Sequence, residues 1–288
     1  MRLRYRLLNV FAREGDPFSG NPLCVFEDGS GLSDDQMLAL ARQFNLSETI
    51  FVMAPRHPAH RARVRIFLPL AEIPFAGHPT IGCALHLSAG DGDLVLEEEA
   101  GPVPVTIRDG LAEFAAPVLP QLGDAVAADL AAAGLGLGAD RIGFGTHRPV
   151  VAHAGPAFIF VPLRDAQALS DARPAGAAFE ALTAKVGKVY AYAPDGAGFR
   201  ARMFAPGSGV PEDPATGSAT ATLAAPLLAA GVLPEGEARL SLRQGVEMGR
   251  PSQLGLRITV RGGALAQVRV SGRAVPVAQG RIRIPEDT

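Results

Sequence analysis

The sequence predicts a protein of mixed strands and helices that is built from two related halves. Its 288 residues exceed the size of a typical single domain. A strand-to-helix corner occurs twice, and its two copies lie 137 positions apart, close to half of the chain. We therefore expect each half to present the N-terminus of a helix to a shared site. The identities that set this spacing are Arg65 and Arg202, Phe67 and Phe204, Pro69 and Pro206, Pro74 and Pro211, and Ala84 and Ala221.

Composition places the chain among ordinary globular proteins. Hydrophobic residues make up 48% and charged residues 19%, and the net charge is −2. This charge argues against a general nucleic-acid binder, which would be strongly basic. No stretch approaches the ~20 apolar residues that span a bilayer, and no secretory signal is visible between Met1 and Ala12. We expect a cytoplasmic protein with no membrane or nucleic-acid partner.

The first half reads as strands around two helices. Ser33 is typical of a helix N-cap, because Asp34, Asp35 and Gln36 follow it, and this helix should end near Asn45. A second helix, Thr80 to Leu87, is apolar and rich in small residues on nearly every face, which predicts burial at the centre of its half. The charge run 97–99 is expected to be a solvated strand end. Strands are predicted at 4–11, 23–26, 46–53, 63–67 and within 93–116.

The second half starts after a crossover at residues 117–120. We place the halves at 1–117 and 118–270, with the first completed by a C-terminal strand within 270–288. Helices are predicted at 124–133 and 179–184, and strands at 150–154, 158–162 and 189–192. The second corner, Glu212 to Ala219, leads into a helical run from Thr220 to Ala230, and strands follow from about residue 238.

Glu48 is an unusual residue for its setting. It lies in a predicted strand rich in β-branched and aromatic residues, where acids are disfavoured. It is either an edge-strand charge that faces water or a partly buried acid/base, since desolvation raises the pKa of a carboxyl group.

The helix starts carry the other candidate site residues. His78 could be a hydrogen-bond donor, a proton relay or a cap. Asp213 could cap its helix or bind a substrate amine or hydroxyl. Ser218 is not a nucleophile elbow, because Thr220 stands where that motif needs glycine. A helix N-terminus can also hold a substrate carboxylate.

Cofactor and metal motifs are missing from the sequence. The glycine-rich segments at 134–138 and 143–145 lack the dinucleotide fingerprint. His57 and His60 have no third ligand nearby, and a surface turn explains them better. Cys24 and Cys83 are too few for a disulfide framework or a four-ligand metal site. We predict neither a metal nor a cofactor.

Four motifs together resemble one known family. In order they are Gly20-Asn21-Pro22, Asn45 to Thr49, Pro74 to Thr80, and Glu212 to Ala219. They cover essentially the whole chain and are similar to those of the PhzF family, the phenazine-biosynthesis-like proteins of the diaminopimelate epimerase superfamily. The resemblance implies an α+β, diaminopimelate epimerase-like fold. Its two pseudo-symmetric halves would each curl a sheet around a central helix, with the active site in the cleft between them.

The resemblance also implies an activity. It implies a cofactor-independent isomerase, similar to trans-2,3-dihydro-3-hydroxyanthranilate isomerase, that forms a homodimer and acts on a small carboxylic acid. The glutamate that mediates proton transfer falls on Glu48, which favours the catalytic interpretation of that residue. His78 and Asp213 correspond to the family's supporting residues. Gly77, Thr216, Gly217 and Ser218 correspond to substrate-binding positions.

Alternatives within the resemblance remain open. The chain could isomerise or epimerise another small acid with the same glutamate, or bind a metabolite without turnover. Diaminopimelate epimerase carries a cysteine at each helix start, where this chain has His78 and Thr216-Gly217-Ser218. A two-thiol racemase is therefore disfavoured, and Cys24 and Cys83 are predicted to be small buried side chains.

Overall fold

The computed structural model describes residues 2–286, which divide into two compact units. The first unit comprises the chain up to Ala115, Arg250–Ser252 and the residues from Ser271 onward. The second comprises Ala116–Gly249 and Gln253–Val270. No helix among residues 2–286 has both the length and the apolar character needed to cross a membrane.

Residues 2–115 form eight strands and two helices. They are β1 (Arg2–Val10), β2 (Asn21–Phe26), α1 (Asp34–Phe44), β3 (Glu48–Met53), β4 (Ala62–Phe67), β5 (Glu72–Ile73), α2 (Gly77–Leu87), β6 (Gly92–Glu98), β7 (Gly101–Arg108) and β8 (Leu111–Ala115).

Residues 116–286 add ten strands and five α-helices. They are β9 (Gln121–Ala125), α3 (Ala128–Gly134), β10 (Val150–His153), β11 (Ala157–Pro162), α4 (Ala166–Asp171), α5 (Gly176–Thr183), β12 (Val189–Asp195), β13 (Gly198–Ala205), β14 (Val210–Asp213), α6 (Gly217–Thr222), α7 (Ala224–Ala229), β15 (Gly236–Gln244), β16 (Ser252–Arg261), β17 (Ala264–Gly272) and β18 (Ala274–Arg283).

The sheet of the first unit curls around α2. Strand β1 pairs antiparallel with both β18 and β2, β2 is parallel to β3, and the sheet continues through β4, β6, β7 and β8. Helix α2 contacts β1, β2 and β3 as well as β8, β6, β7 and β18. A single helix that touches both ends of this strand order must lie inside the curl. The predicted burial of this helix is confirmed, since its residues from Gly77 to Ala84 are all buried.

Helix α1 packs on the opposite face of this sheet. The predicted N-cap is confirmed, because the Ser33 hydroxyl accepts from the Gln36 N–H while the Gln36 side chain accepts from the Ser33 N–H. Asn45 ends the helix in the left-handed conformation (φ 50°). The apolar side of α1 packs with Phe26, Phe51 and neighbouring side chains in a core of this unit.

The second unit repeats the strand order of the first. Strand β11 is parallel to β12, β12 is antiparallel to β13, and β13 pairs antiparallel with β14 and parallel with β15. The first unit has the same relations among β2, β3, β4, β5 and β6. Strands β10 and β9 extend this sheet as β1 and β18 extend the first.

The spacing of the repeat changes at the helix. The arginines of the two corners, Arg65 and Arg202, lie 137 positions apart, whereas Gly77 and Gly217, which start α2 and α6, lie 140 positions apart. Three additional residues therefore stand before the second helix. The identity of Ala84 and Ala221 does not mark equivalent helix positions.

The ends of most predicted elements differ from the structure by up to three residues; α2, for example, starts at Gly77 and not at Thr80. Three predicted elements differ in more than their ends. The helix expected at 124–133 starts only at Ala128, because Ala125 pairs with Val150 at the edge of the sheet. The helical run expected over 220–230 is divided into α6 and α7 at Leu223. Pro226 explains this division, since it has no N–H to donate to the carbonyl of Thr222.

The third difference concerns the charge run at 97–99, which was predicted to be a solvated strand end. Only part of it faces solvent. Glu99 is exposed, but Glu98 is only 7% exposed. Side chains alternate along β6, so that Leu96 and Glu98 both point inward. Glu98 contacts Thr80 of the central helix.

Candidate active site

Glu48 is the first residue of β3 and comes directly after the turn that ends α1. Its backbone lies opposite Leu23 of the parallel strand β2. The side chain is 16% exposed, so the carboxyl group is largely enclosed yet reachable from solvent. Its Oε2 lies 2.8 Å from Nδ1 of His78. Among residues 2–286, no group is hydrogen-bonded to its other oxygen, Oε1.

His78 is the second residue of α2 and is almost completely buried, with 2% of its surface exposed. Its second ring nitrogen, Nε2, lies 3.1 Å from the backbone oxygen of Asn21. A carbonyl oxygen can only accept a hydrogen bond, so Nε2 must carry a proton. The Asn21 carbonyl thereby fixes the tautomer of the imidazole.

This tautomer determines how Glu48 and His78 interact. The proton on Nε2 is directed to the Asn21 carbonyl and cannot serve the contact with Glu48. A hydrogen bond between Nδ1 and Oε2 therefore requires a second proton, located between these two atoms. That proton resides either on the carboxyl of Glu48 or on Nδ1 of His78. The pair is therefore a proton-holding unit, and the Glu48 side chain in it is partly exposed.

Arg250 supports the Asn21 carbonyl from a distant part of the sequence. Its Nε donates to the backbone oxygen of Gly20 and its Nη2 donates to Oδ1 of Asn9, both at 2.8 Å. Asn9 in turn donates to the backbone oxygen of Pro17 at 2.8 Å. These bonds hold the chain on both sides of Gly20 and so hold the start of β2. Reasoning from the sequence missed Arg250, which lies 230 positions from Gly20.

Gly20 can be replaced by no other residue without strain. Its φ is +84°, in the left-handed region that favours glycine. An added Cβ would lie 2.5 Å from the backbone oxygen of Val10. The structure thus explains the glycine of the Gly20-Asn21-Pro22 motif, and the backbone that follows it places the Asn21 carbonyl against His78.

The second corner holds Asp213 in a buried network. Asp213 is 4% exposed, and its Oδ2 accepts from the Thr216 hydroxyl at 2.6 Å. The Gln244 amide donates to the Asp213 backbone oxygen at 2.7 Å and to the Thr216 hydroxyl oxygen at 2.9 Å. It also accepts from the Thr216 N–H at 3.2 Å. Gln244 therefore connects both sides of this turn, and no local sequence signal identified it.

Gly217 and Ser218 start α6 directly after this network. Gly217 is buried and Ser218 is partly exposed. The backbone oxygen of Ser218 accepts from the Thr222 hydroxyl at 2.8 Å. Within the second unit, Asp213, Thr216, Gly217 and Ser218 thus lie on one continuous turn. In the first unit, Glu48, Gly77 and His78 come together at the start of α2.

Neither cysteine is placed to act as a thiolate. Cys24 in β2 and Cys83 in α2 are both fully buried, and their predicted burial is confirmed. Burial raises the pKa of both thiols far above the ordinary value, which disfavours the nucleophilic thiolate. Among residues 2–286, no three His, Cys, Asp or Glu side chains form a cluster suited to a metal ion.

Comparison with known proteins decides the family. The family model PhzC-PhzF, described as phenazine biosynthesis-like protein, matches residues 8–280. The chain belongs to this family. The resemblance predicted from the four motifs is confirmed.

Curated relatives of the chain are named isomerases. It is 40% identical over 299 residues to an uncharacterized isomerase of Mesorhizobium japonicum, a match that covers 97% of this chain and 98% of the relative. It is 38% identical over 288 residues to the trans-2,3-dihydro-3-hydroxyanthranilate isomerase of Pseudomonas aeruginosa, covering 96% and 98%. The protein is an isomerase of the PhzF family.

Solved structures confirm the predicted α+β fold class. A predicted epimerase from Pseudomonas aeruginosa superposes with a TM-score of 0.81 at 31% identity, covering 97% of this chain and 99% of the other. The same fold occurs in a probable proline racemase from Agrobacterium radiobacter, with a TM-score of 0.68 over 98% and 93% of the two chains. At 14% identity this second likeness concerns the fold alone.

Proposed function

We propose that this isomerase moves a proton between two carbons of a small carboxylic acid, without a cofactor, and uses Glu48 as its general acid/base. The observation that carries the proposal is the proton-holding unit of Glu48 and His78. A glutamate whose side chain is 16% exposed shares one proton with a buried histidine whose tautomer is fixed by a backbone carbonyl. Such an arrangement suits a residue that must accept a proton and then return it.

The proton can be followed through the proposed cycle. Before reaction, the carboxylate of Glu48 accepts a hydrogen bond from protonated Nδ1 of His78. A substrate C–H bond breaks, its proton forms an O–H bond at Glu48, and the electron pair enters the conjugated system of the substrate. Glu48 then gives a proton to a second carbon on the same face, where a new C–H bond forms. His78 remains a donor throughout and stabilises the charge on the carboxylate.

Charge that builds up on the substrate needs donors as well. Helix α2 is eleven residues long, and its first turn is buried, so its N-terminus at Gly77 offers backbone N–H groups and the positive end of a dipole. We propose that these groups hold the substrate carboxylate. On the strength of the family resemblance, we assign Asp213 a catalytic role and Thr216, Gly217 and Ser218 substrate-binding roles in the same reaction.

The name of a relative suggests the first substrate to test. Trans-2,3-dihydro-3-hydroxyanthranilate is a small unsaturated carboxylic acid of the kind that the mechanism requires, and a relative at 38% identity is named for its isomerisation. A different small acid, isomerised or epimerised by Glu48, is the alternative within the enzymes. A non-catalytic metabolite binder is the second alternative, and solvent deuterium would not enter its ligand.

The test is turnover of trans-2,3-dihydro-3-hydroxyanthranilate by the wild-type protein and by Glu48→Gln. The amide keeps the size of the side chain but cannot accept the proton, so we expect turnover to fall by roughly 10²–10⁴-fold with folding and binding retained. Glu99→Gln, at an exposed position, is the matched control and should keep wild-type turnover. Near-normal turnover in Glu48→Gln would contradict the assignment of the acid/base.

Assembly and location belong to the same proposal. The family resemblance implies a homodimer, and the proposed reaction suits a cytoplasmic metabolite enzyme. Light scattering coupled to size-exclusion chromatography measures the mass in solution, and a monomeric mass would contradict the homodimer.

A further inference from the structure

Glu98 is a buried acid without a cationic partner. It ends β6 and is 7% exposed. Its neighbour Glu97 accepts from the backbone N–H groups of Arg56 and His57 and from His60. Among residues 2–286, no lysine, arginine or histidine forms an ion pair with Glu98. The acid is therefore enclosed with no positive charge to offset the cost of ionisation.

Its hydrogen bonds reach the residue that precedes α2. Oε1 of Glu98 lies 2.6 Å from the Thr80 hydroxyl, and that hydroxyl lies 2.7 Å from the backbone oxygen of Ala76. The other carboxyl oxygen of Glu98, Oε2, is buried and has no hydrogen-bond partner among residues 2–286. Glu98 is thus connected to the backbone oxygen of Ala76 through the Thr80 hydroxyl.

The proton count in this network favours a neutral acid. The single Thr80 hydroxyl proton cannot be donated both to the Ala76 oxygen and to Glu98. If Glu98 is protonated, it donates to Thr80 and Thr80 donates to Ala76, so each contact has one donor and one acceptor. Burial raises the pKa of Glu98 to about 8, in agreement with this assignment. Cys83 of α2 is a titratable neighbour of Glu98, and the negative charge of ionised Glu98 helps to raise the pKa of its thiol.

This network joins the end of β6 to the first turn of α2. Ala76 is the N-cap residue of α2, and it has no side-chain hydrogen bond to cap the helix. Two residues further on, His78 contacts Glu48 at 2.8 Å. A displacement of the first turn of α2 would therefore change the distance between the two members of the proton-holding unit.

We propose that Glu98 is a positioning residue of the active site, which acts through Thr80 and Ala76 to hold His78 against Glu48. This inference rests on the proposed role of the Glu48–His78 pair. It adds a residue on β6 that contacts neither substrate nor reacting atoms. It also gives a reason for an acid where β6 would otherwise carry an apolar side chain.

The test follows the His78 imidazole by NMR in the full-length protein labelled with ¹⁵N-histidine, from pH 6 to 9.5. The His78 signals are assigned by their loss in His78→Gln. In the wild type we expect them to shift in a step near pH 8, as Glu98 ionises and the start of α2 moves. In Glu98→Gln the step should vanish while the neutral-pH signals stay unchanged, because an amide can donate to the Thr80 hydroxyl as the protonated acid does.

Two further variants complete the design. Thr80→Val removes the linking hydroxyl and should displace the His78 signals at every pH, whereas Glu99→Gln should keep the wild-type step. A step that persists in Glu98→Gln, or its absence from the wild type, would overturn the proposal. So would an altered unfolding temperature in Thr80→Val with His78 signals that match those of the wild type at every pH. The readout needs no turnover, so it stands or fails separately from the proposed reaction.

Discussion

The two strand-to-helix corners share a scaffold but differ where the helix begins. In both, the guanidinium group of an arginine lies over the ring of the phenylalanine two residues later. The distance from Cζ to the ring centroid is 5.2 Å for Arg65 over Phe67 and 4.8 Å for Arg202 over Phe204. Each arginine also forms a two-pronged contact with one glutamate, Glu72 in the first corner and Glu212 in the second.

Beyond this scaffold, the corners use different groups. The first leads into one unbroken helix whose second residue, His78, contacts Glu48. The second leads through Asp213 and Thr216, which Gln244 holds by three hydrogen bonds, into a helix that is interrupted at Leu223. The duplicated strands preserve the geometry of the sheet, and the helix starts carry the differences in chemistry. At the first corner a carboxyl group and an imidazole share a proton, and at the second a buried amide holds a polar turn by hydrogen bonds.

The largest expected effect on the free energy of unfolding comes from replacing the arginines of the two corners, and it should differ between them. Arg202 is 5% exposed, and besides Glu212 it donates to the backbone oxygens of Leu169 and Ala172. Arg202→Met should lower the free energy of unfolding by about 3–5 kcal/mol, because it leaves a largely enclosed carboxylate without its partner.

Arg65→Met should cost only about 1 kcal/mol, because Arg65 pairs with the more exposed Glu72 and Asp34. Urea unfolding of both variants measures this difference. Equal losses would show that the two corners are energetically alike and would contradict the contrast in burial.

The next effect concerns the polar turn of the second corner. Gln244→Leu should lower the free energy of unfolding by about 2–3 kcal/mol, because it removes the hydrogen bonds that the Gln244 amide makes in this buried turn to the Asp213 backbone oxygen and the Thr216 N–H. Gln267→Leu, at an exposed position of β17, is the control and should stay within about 0.5 kcal/mol of the wild type. Thermal unfolding measures the stability of both variants. An unchanged stability of Gln244→Leu would mean that the turn does not depend on the hydrogen bonds of Gln244.

A smaller effect, the change in the free energy of unfolding per pH unit, should come from Glu98, which contacts the helix of the first corner. The pKa of Glu98 is about 8 in the folded chain and 4.5 ordinarily, so between these values only the folded chain holds the proton. Unfolding then releases a proton, and raising the pH favours the unfolded state. The free energy of unfolding should fall by up to about 1.4 kcal/mol per pH unit across this range.

Glu98→Gln removes this titrating group and tests its origin. Urea unfolding at pH 5, 6, 7 and 8 should show a shallower dependence on pH in Glu98→Gln than in the wild type. Parallel curves for the two proteins would assign the pH dependence to other groups.

Local patterns in the sequence predicted much of the fold. The capping box at Ser33 and the small, apolar residues of α2 fixed the positions of two helices, because both signals lie within the elements that they form. The predicted helix at 124–133 began too early, because pairing of Ala125 with Val150 depends on a strand that is distant in sequence. The inward position of Glu98 likewise depends on how β6 packs against α2.

The candidate site shows the same division. Glu48, His78 and Asp213 lie in short motifs that a family resemblance can recognise. Gln244 and Arg250 lie in no comparable local pattern, and they act through backbone groups of distant residues. The shared proton of Glu48 and His78 depends on the Asn21 carbonyl, which only coordinates could place.

A double-mutant cycle on Glu48 and His78 tests the central claim most directly. It compares kcat/KM for trans-2,3-dihydro-3-hydroxyanthranilate among the wild type, Glu48→Gln, His78→Gln and the double variant. If the two residues hold one proton as a unit, the double variant should lose no more than about the loss of Glu48→Gln alone. A loss equal to the product of the two single losses would show that the residues act independently and would contradict the account.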